Sequence, residues 1–235
     1  MSTTAHTSGH EHRDVTGGWL RPAVFGAMDG LVSNFALIAG VAGGGVKPSV
    51  VVLAGLAGLA SGAFSMGVGE YVSVASQADL ARAEIEVERR ELDRHPQAEL
   101  AELTDRLVAL GVEREVAAEA ARQISRDPRQ ALRVHARDEL GVEPGRLPSP
   151  LLAGVSSFLA FSVGAVLPVI PYLLGASALW PAALVAAAGL FGAGALVAQV
   201  TARPWWFSGL RQLAFGAAAA AVTYLVGSLI GVAAL

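Results

Sequence analysis

Long apolar runs alternate with polar segments along this chain, and the apolar runs have the length of membrane-spanning helices. About 20 predominantly apolar residues of helix cross the hydrocarbon core of a bilayer, and five segments meet that requirement. We predict spans over residues 23–46, 50–74, 150–174, 179–201 and 213–235. The predicted fold class is therefore all-α, a polytopic membrane protein with five transmembrane helices.

Two features within the spans predict how they pack. Small residues recur in the second span at the spacing of one helix face, which favours close backbone approach by a neighbouring helix. They are Gly55, Gly58, Gly62 and Gly69. In the third span, Pro168 and Pro171 each remove a backbone donor, so we predict a kink there.

Most of the charge lies between the second and third spans, in residues 79–146. This distribution is typical of a polar domain inserted between membrane helices. We divide the chain into a tail at 1–18, spans one and two at 19–78, an acidic helical metal-binding insert at 79–147, and spans three to five at 148–235.

The insert is predicted to consist of helices. No glycine or proline occurs between Glu70 and Pro96, so the second span should continue as helix beyond the membrane. Further helices are predicted over about 97–110 and 113–125 and from 128 onward, with Gly111 and Asp127 as caps. In the helix at 113–125 we expect Val116, Ala120 and Ile124 to face inward.

The basic residues indicate the orientation. The connection between the first two spans holds Lys47, and the connection between the third and fourth spans has no charge. The arginines lie on the other side, in the tail, the insert and the connection containing Arg203 and Arg211. The positive-inside rule therefore places the N-terminus and the insert in the cytosol and the C-terminus outside.

Two acids, Asp29 and Glu70, interrupt the first two spans. A carboxylate in a membrane helix costs roughly 2.5 to 3.5 kcal/mol on insertion scales, and such residues normally face a polar pathway. Met66 and Glu70 are four residues apart and share a helix face. A thioether beside a carboxylate favours a first-row divalent ion over Mg²⁺ or Ca²⁺. The pattern indicates ion transport, with a solvated helix-end position as the alternative for Glu70.

Acidic residues recur in the insert at spacings that can converge on ions. They are Glu84, Glu88 and Glu91 on the extension of the second span, Glu99 and Glu102 on the next helix, and Glu139 one turn after His135 on the last helix. The alternative is a set of solvated helix faces neutralised by nearby arginines. A ferritin-like di-iron enzyme would need E-x-x-H pairs, and the chain contains none.

The composition excludes several classes of function. The absence of cysteine excludes disulfides, zinc–thiolate sites and thiol catalysis. The hydrophobic content of 53% and the mean hydropathy of +0.51 suit a small membrane bundle better than a soluble domain. We predict no enzymatic activity, no prosthetic group and no nucleic-acid partner.

Several motifs together resemble the vacuolar iron transporter family over residues 17–235. They are GAMDGLVSNFALIAGVAG, SMGVGEYVSVASQADL, ARDELGV, FLAFSVGAVLPVIPYLLG and GLRQLAFGAAAAAVTYLVGSLIG. The resemblance implies a homodimer of five-span protomers that exports Fe²⁺, and often Mn²⁺, from the cytosol in exchange for protons. The arginine-rich, lysine-poor usage looks prokaryotic, which would place the protein in the cell (inner) membrane.

The resemblance also implies roles for individual residues. Asp29, Met66 and Glu70 match pathway residues of the family. The insert glutamates that match are Glu88, Glu91, Glu99, Glu102 and Glu139. Plant relatives have methionines where this chain has His135 and Ala136, so its ligand set is harder and Zn²⁺ or Co²⁺ joins Fe²⁺ and Mn²⁺ as a candidate ion. A membrane-anchored metal-binding or sensing protein is the alternative function.

Overall fold

The computed structural model describes residues 18–198 and 203–233, and the regular structure within them is helical. The predicted N-terminal tail lies outside these residues, apart from Gly18. The helices are α1 (Leu20–Gly43), α2 (Pro48–Arg94), α3 (Pro96–Ala109), α4 (Arg114–Ile124), α5 (Pro128–Glu139), α6 (Pro150–Val166), α7 (Ile170–Leu173), α8 (Trp180–Val197) and α9 (Trp205–Ala233).

Within the described residues, five helical segments are long and apolar enough to cross a membrane, as the hydropathy pattern predicted. The predicted continuation of the second span is also confirmed, because α2 runs unbroken for 47 residues. The helix of the fifth span begins before the predicted span start at residue 213, because α9 begins at Trp205 and contains Arg211. Apolar content locates a span, whereas a helix extends wherever its backbone bonds can form, and the N–H of Phe207 already donates to the Pro204 carbonyl.

The third span changes geometry at its prolines, as predicted. α6 gives way to one 3₁₀ turn, Leu167–Val169, which contains Pro168, and α7 then follows with Pro171 in its first turn. A proline cannot donate to a carbonyl of the preceding turn, so the regular α-helical ladder is interrupted here.

The helix α1 lies at the centre of the membrane bundle, where it contacts α2, α6, α8 and α9. Glycines bring its backbone against two of these neighbours. A Cβ at Gly30 would collide with the carbonyl oxygen of Phe161 on α6, and a Cβ at Gly227 on α9 would collide with that of Gly40. These contacts fix α1 in position relative to α6 and α9.

Within the single chain, the four glycines predicted to allow close backbone approach do not meet the backbone of a neighbouring helix, and approach across a dimer stays a prediction. Gly58 and Gly62 make room for side chains, those of Asn34 and Leu37 at Gly58 and the Phe161 ring at Gly62. The Gly55 position meets side chains as well, and that of Gly69 meets nothing within 4 Å. Small residues in a sequence indicate that something approaches closely, but they do not say whether it is backbone or side chain.

The insert helices α3, α4 and α5 pack with one another and against the extension of α2. The predicted caps are confirmed: Gly111 adopts φ +94° after α3, and the Asp127 side chain accepts from the N–H of Arg129 at 2.9 Å. The predicted inner face of α4 is wrong, because Ala117 and Ala121 are fully buried. Val116 is 56% exposed, while Ala120 and Ile124 are only half-buried. Closely packed helices favour alanine over a branched side chain at the contact.

Candidate functional site

Three helices bring four side chains of the insert together. Glu88 lies on the extension of α2, Glu99 in the first turn of α3, and His135 and Glu139 one turn apart on α5. His135 Nδ1 is 3.0 Å from Glu88 Oε1, 3.2 Å from Glu139 Oε1 and 3.4 Å from Glu99 Oε2. One candidate ligand atom from each residue lies within 4.8 Å of the other three. We call these four residues the insert cluster.

Local sequence signals place these side chains. Pro96 begins α3 directly after α2 ends, so the chain reverses and sets the first turn of α3 beside Glu88. Two small buried residues, Ala131 and Ala136, let α5 approach the α2 extension closely. His135 lies on the same inner side of α5 and is 1% exposed. The imidazole is therefore held inside the insert rather than on its surface.

The electrostatics of the insert cluster favour a cation. A neutral imidazole has one N–H, so Nδ1 cannot donate to all three surrounding carboxylates. Burial, and next the charge of Glu139, raises the pKa of Glu88 to about 7, although His135 opposes this change. Burial, and next the charge of Glu102, raises the pKa of Glu99. A divalent ion would offset both causes of these shifts, the cost of burying the charged carboxylates and the repulsion between them.

The distances from His135 Nδ1 to the three carboxylates fit a first-row ion, whereas the candidate ligand atoms of the whole cluster lie up to 4.8 Å apart. Ligand bonds of about 2.1 Å place neighbouring ligand atoms roughly 3.0 to 3.4 Å apart in octahedral or tetrahedral geometry. The three distances from His135 Nδ1 span the same interval. Carboxylate oxygens and one imidazole nitrogen suit Mn²⁺, Fe²⁺, Co²⁺ or Zn²⁺.

The other predicted insert acids lie outside this cluster. Glu91 pairs with His95 at 2.8 Å, and Glu84 is exposed. Glu102 pairs with Arg106 at 2.7 Å. The hydrogen bond from Arg106 to Glu102 is the largest cause of the raised pKa of that guanidinium, which also lies 3.3 Å from Glu139. Arg106 therefore neutralises acidic residues at the edge of the cluster. The sequence-based alternative, helix faces neutralised by nearby arginines, anticipated such pairs.

A second candidate site lies within the membrane bundle. It is a cavity of about 300 Å³ between α1 and α2, closed at the back by Phe161 of α6, and we call it the membrane pocket. Its polar lining consists of Asp29, Ser33, Asn34, Ser61, Ser65 and the thioether of Met66. The structure thus brings Asp29 and Met66 to one cavity. Because Ser61 and Ser65 are exposed in the single chain, the pocket opens at the surface beside α2.

The third predicted pathway residue is placed differently. Glu70 is half-buried and lies one turn beyond Met66 in the direction of the insert, outside the residues that line the pocket. Sequence reasoning missed Asn34, Ser61, Ser65 and Phe161, because it searched the spans for ionisable groups. The polar pair Ser33 and Asn34 inside an apolar run was the available signal.

Comparison with known proteins assigns the chain to a family. A family model described as the VIT family matches residues 20–228. The chain belongs to the VIT family. Among VIT relatives, the vacuolar iron transporter of Acanthamoeba castellanii is 40% identical over 195 residues, covering 79% of this chain and 71% of that protein. Vacuolar iron transporter 2 of Oryza sativa subsp. japonica is 31% identical over 219 residues, covering 92% and 89%.

Membership of the VIT family confirms the resemblance drawn from the sequence motifs. Proteins of this family are membrane transporters rather than enzymes, so the predicted class of function is also confirmed. The match includes all helices that carry the membrane pocket and the insert cluster. Both sites therefore belong to the part of the chain that defines the family.

Proposed function

We propose that this VIT-family protein exports Fe²⁺, with Mn²⁺ as a second substrate, from the cytosol in exchange for protons. The observation that carries the proposal is the membrane pocket, where Asp29 and Met66 meet between two membrane-spanning helices. Relatives named vacuolar iron transporters support iron as the ion.

The pocket residues supply a chemical route for exchange. An isolated carboxylate among apolar helices is costly unless it is paired or protonated. Asp29 would bind the ion when ionised and take up a proton as the ion leaves, which couples the two movements. The Met66 thioether adds a softer ligand that favours Fe²⁺ over Mg²⁺ and Ca²⁺. Glu70, between this pocket and the insert, would relay ions or protons to Asp29.

The insert cluster would collect ions before they enter the membrane. Its four ligands come from one chain and are largely buried, which favours binding over rapid passage. Glu91 and Glu102 would attract ions to the rim. We place the insert and the N-terminus in the cytosol and the C-terminus outside, following the distribution of arginines. The arginine-rich, lysine-poor usage supports the cell membrane as the location.

A homodimer would complete the membrane pocket. In the single chain the pocket opens beside α2, whose exposed residues there include Phe64 and Val68. A second copy packed on this face would exclude lipid from the polar lining, since lipid cannot satisfy it. The ion path would then run along the dimer axis.

Transport in proteoliposomes tests this function. Purified protein would be reconstituted with a metal-sensitive dye and a pH dye inside, and given Fe²⁺ or Mn²⁺ outside, with and without a pH gradient. We expect ion entry that is accelerated by an opposing proton gradient and accompanied by proton movement. Ion entry no faster than into protein-free liposomes would reject transport.

The alternative, a membrane-anchored metal-binding or sensing protein, draws its support from the insert cluster. That cluster is complete within one chain and does not need a path through the membrane. A sensor would bind Mn²⁺ or Zn²⁺ at the cluster and show no flux in the same liposomes. The polar membrane pocket, which a sensor does not require, favours the transporter.

A further inference from the structure

The buried amide of Asn34 is a polar group that the route above does not use. Asn34 lies on α1, is 2% exposed, and its Nδ2 donates to the Ala165 carbonyl of α6 at 2.6 Å. This bond fixes the orientation of the amide, because a flipped side chain would set two carbonyl-type oxygens against each other. The Oδ1 atom must therefore point away from α6.

The oxygen of this amide has no protein partner. In the described part of the chain, Asn34 Oδ1 is a buried acceptor without a hydrogen-bond donor, and Asn34 lines the membrane pocket together with Asp29 and Met66. A buried acceptor left unsatisfied costs free energy, so such groups are rare unless a ligand or water meets them.

A glycine of α2 packs against this oxygen. A Cβ on Gly58 of α2 would lie 2.6 Å from Asn34 Oδ1, which is closer than a carbon can approach without displacing it. A side chain at this position would therefore displace or cover the oxygen. α1, α2 and α6 thus combine to hold one neutral, unpartnered oxygen on a residue that lines the pocket.

We propose that Asn34 Oδ1 is a ligand of the divalent ion as it passes through the membrane pocket, beside Asp29 and Met66. This inference rests on the transport function proposed above. A neutral amide oxygen replaces part of the hydration shell of the ion without adding a second charge, so it assists entry and still permits release. As a hard ligand it balances the Met66 sulfur and sets the preference between Mn²⁺ and softer ions such as Co²⁺.

A pair of substitutions at this position separates an ion ligand from a structural amide. Asn34→Ala and Asn34→Asp both lose the donor to Ala165, but only Asn34→Asp retains an oxygen, now charged. Initial rates of Mn²⁺ and Co²⁺ entry would be measured in proteoliposomes of the full chain, together with the melting temperature in detergent. We expect Asn34→Ala to raise the KM for Mn²⁺ about fivefold and that for Co²⁺ less. We expect Asn34→Asp to lower the KM for Mn²⁺ below the wild-type value.

Glycine substitutions provide an independent test with a matched control. Gly58→Ala covers the oxygen while leaving Asn34 in place, so it should change the Mn²⁺ to Co²⁺ ratio of KM values in the same direction as Asn34→Ala. Gly55→Ala adds the same methyl group one turn away, against the side chains of Val169 and Ile38 and outside the pocket lining. It should affect melting temperature alone.

Each outcome decides the matter. A wild-type protein without ion flux overturns both the transport function and this inference. A wild-type protein that transports, with unchanged ratios of KM in Asn34→Ala, Asn34→Asp and Gly58→Ala, overturns the ligand role alone. If Asn34→Ala does not fold, Gly58→Ala still decides, because a ratio equal to that of Gly55→Ala overturns the proposal.

Discussion

Under the proposed function, the insert cluster and the membrane pocket would bind the same kind of ion with contrasting sets of ligands. The cluster gathers three carboxylates and an imidazole from one chain, largely buried, with candidate ligand atoms within 4.8 Å of one another. The pocket offers one carboxylate, one thioether and several neutral oxygens, and it is open on one side. A site that retains an ion needs many charged ligands, whereas a site that passes an ion must bind it weakly enough to release it. We propose that the insert cluster retains ions at one end of α2 and that the membrane pocket passes them at the other.

The largest expected effect comes from removing the charge of Asp29 in the membrane pocket, which tests this pocket separately from the insert cluster. Asp29→Asn keeps the shape of the side chain but loses the charge that attracts the ion, so we expect Fe²⁺ flux to fall about 100-fold. Metal binding by the insert should be unchanged. Flux in proteoliposomes and calorimetric titration of the same preparation measure both. Asp93→Asn, at an exposed position on α2, is the control and should transport normally. Near-normal flux through folded Asp29→Asn would remove this residue from the pathway.

The converse change removes a ligand from the insert cluster and leaves the membrane pocket intact. Glu88→Gln removes one buried ligand, and we expect the affinity of the full-length protein for Mn²⁺ at the insert to fall about 30-fold while flux at saturating ion persists. Glu84→Gln lies one turn earlier on the same helix with an exposed side chain and should bind normally. Equal affinities in the two variants would contradict the insert cluster as drawn.

Metal binding by the insert cluster should depend on pH, because protons compete with the ion for the carboxylates. Carboxylates of ordinary pKa would release metal only below about pH 5, but the pKa of Glu88 is raised to about 7, so we expect binding to weaken from a higher pH. Below about pH 7 the ion must displace a proton, so the affinity should fall up to about tenfold per pH unit. Titration between pH 5.5 and 8, in buffers of different ionisation enthalpy, should show proton release at pH 6 and little at pH 8. A flat affinity profile for the wild type would contradict the raised pKa.

The raised pKa of Glu88 also determines whether the stability of the metal-free insert rises or falls with pH. The folded pKa of Glu88 lies above its ordinary value of 4.5, so the folded state binds the extra proton. Stability of the metal-free insert is therefore greatest at low pH with respect to this group, and falls as the pH rises through about 7. Hydrogen exchange of the insert helices at two pH values, corrected for intrinsic rates, would show this loss, and saturating Mn²⁺ should remove it.

The smallest expected effect concerns the choice among ions. His135 supplies the nitrogen of the cluster, so His135→Ala should weaken Zn²⁺ and Co²⁺ about fivefold and Mn²⁺ less. His135→Met fills more of the same space with a thioether and should move the preference toward that of the plant-like methionine pattern without stopping transport. Parallel titrations with the three ions measure this. Equal losses for every ion would show that the imidazole acts only by packing.

Short-range signals were sufficient for much of this fold. Asp127 before a proline starts α5, and Gly111 ends α3, because each cap depends on its own neighbours in the chain. The inner face of α4 could not be predicted in the same way. Val116 is the more apolar choice, but the helices approach too closely for it, and Ala117 is buried instead.

The sites show the same limit. Spacing and family resemblance named six insert ligands but did not separate those that converge from those that pair along their own helix. Glu91 with His95 and Glu102 with Arg106 are pairs of residues four apart, so their contacts are local. Which residues join the cluster depends instead on how α2, α3 and α5 meet in space. Asn34 was missed because a neutral amide gives no charge signal. The orientation of its amide follows only from its bond to Ala165, 131 residues away in the chain.

The unbroken helix α2 also connects the two sites mechanically, so a movement of the helix at one site is transmitted to the other. From Met66 to Glu88 the helix rises about 33 Å at 1.5 Å per residue. Gly67 and Gly69 lie beside Met66, and no glycine or proline lies between Glu70 and Pro96, so the usual points of bending are confined to the pocket end of this segment. A tilt of about 5° there would carry Glu88 sideways by about 3 Å over that length. Because the candidate ligand atoms lie within 4.8 Å of one another, such a displacement of Glu88 relative to α3 and α5 would open the cluster.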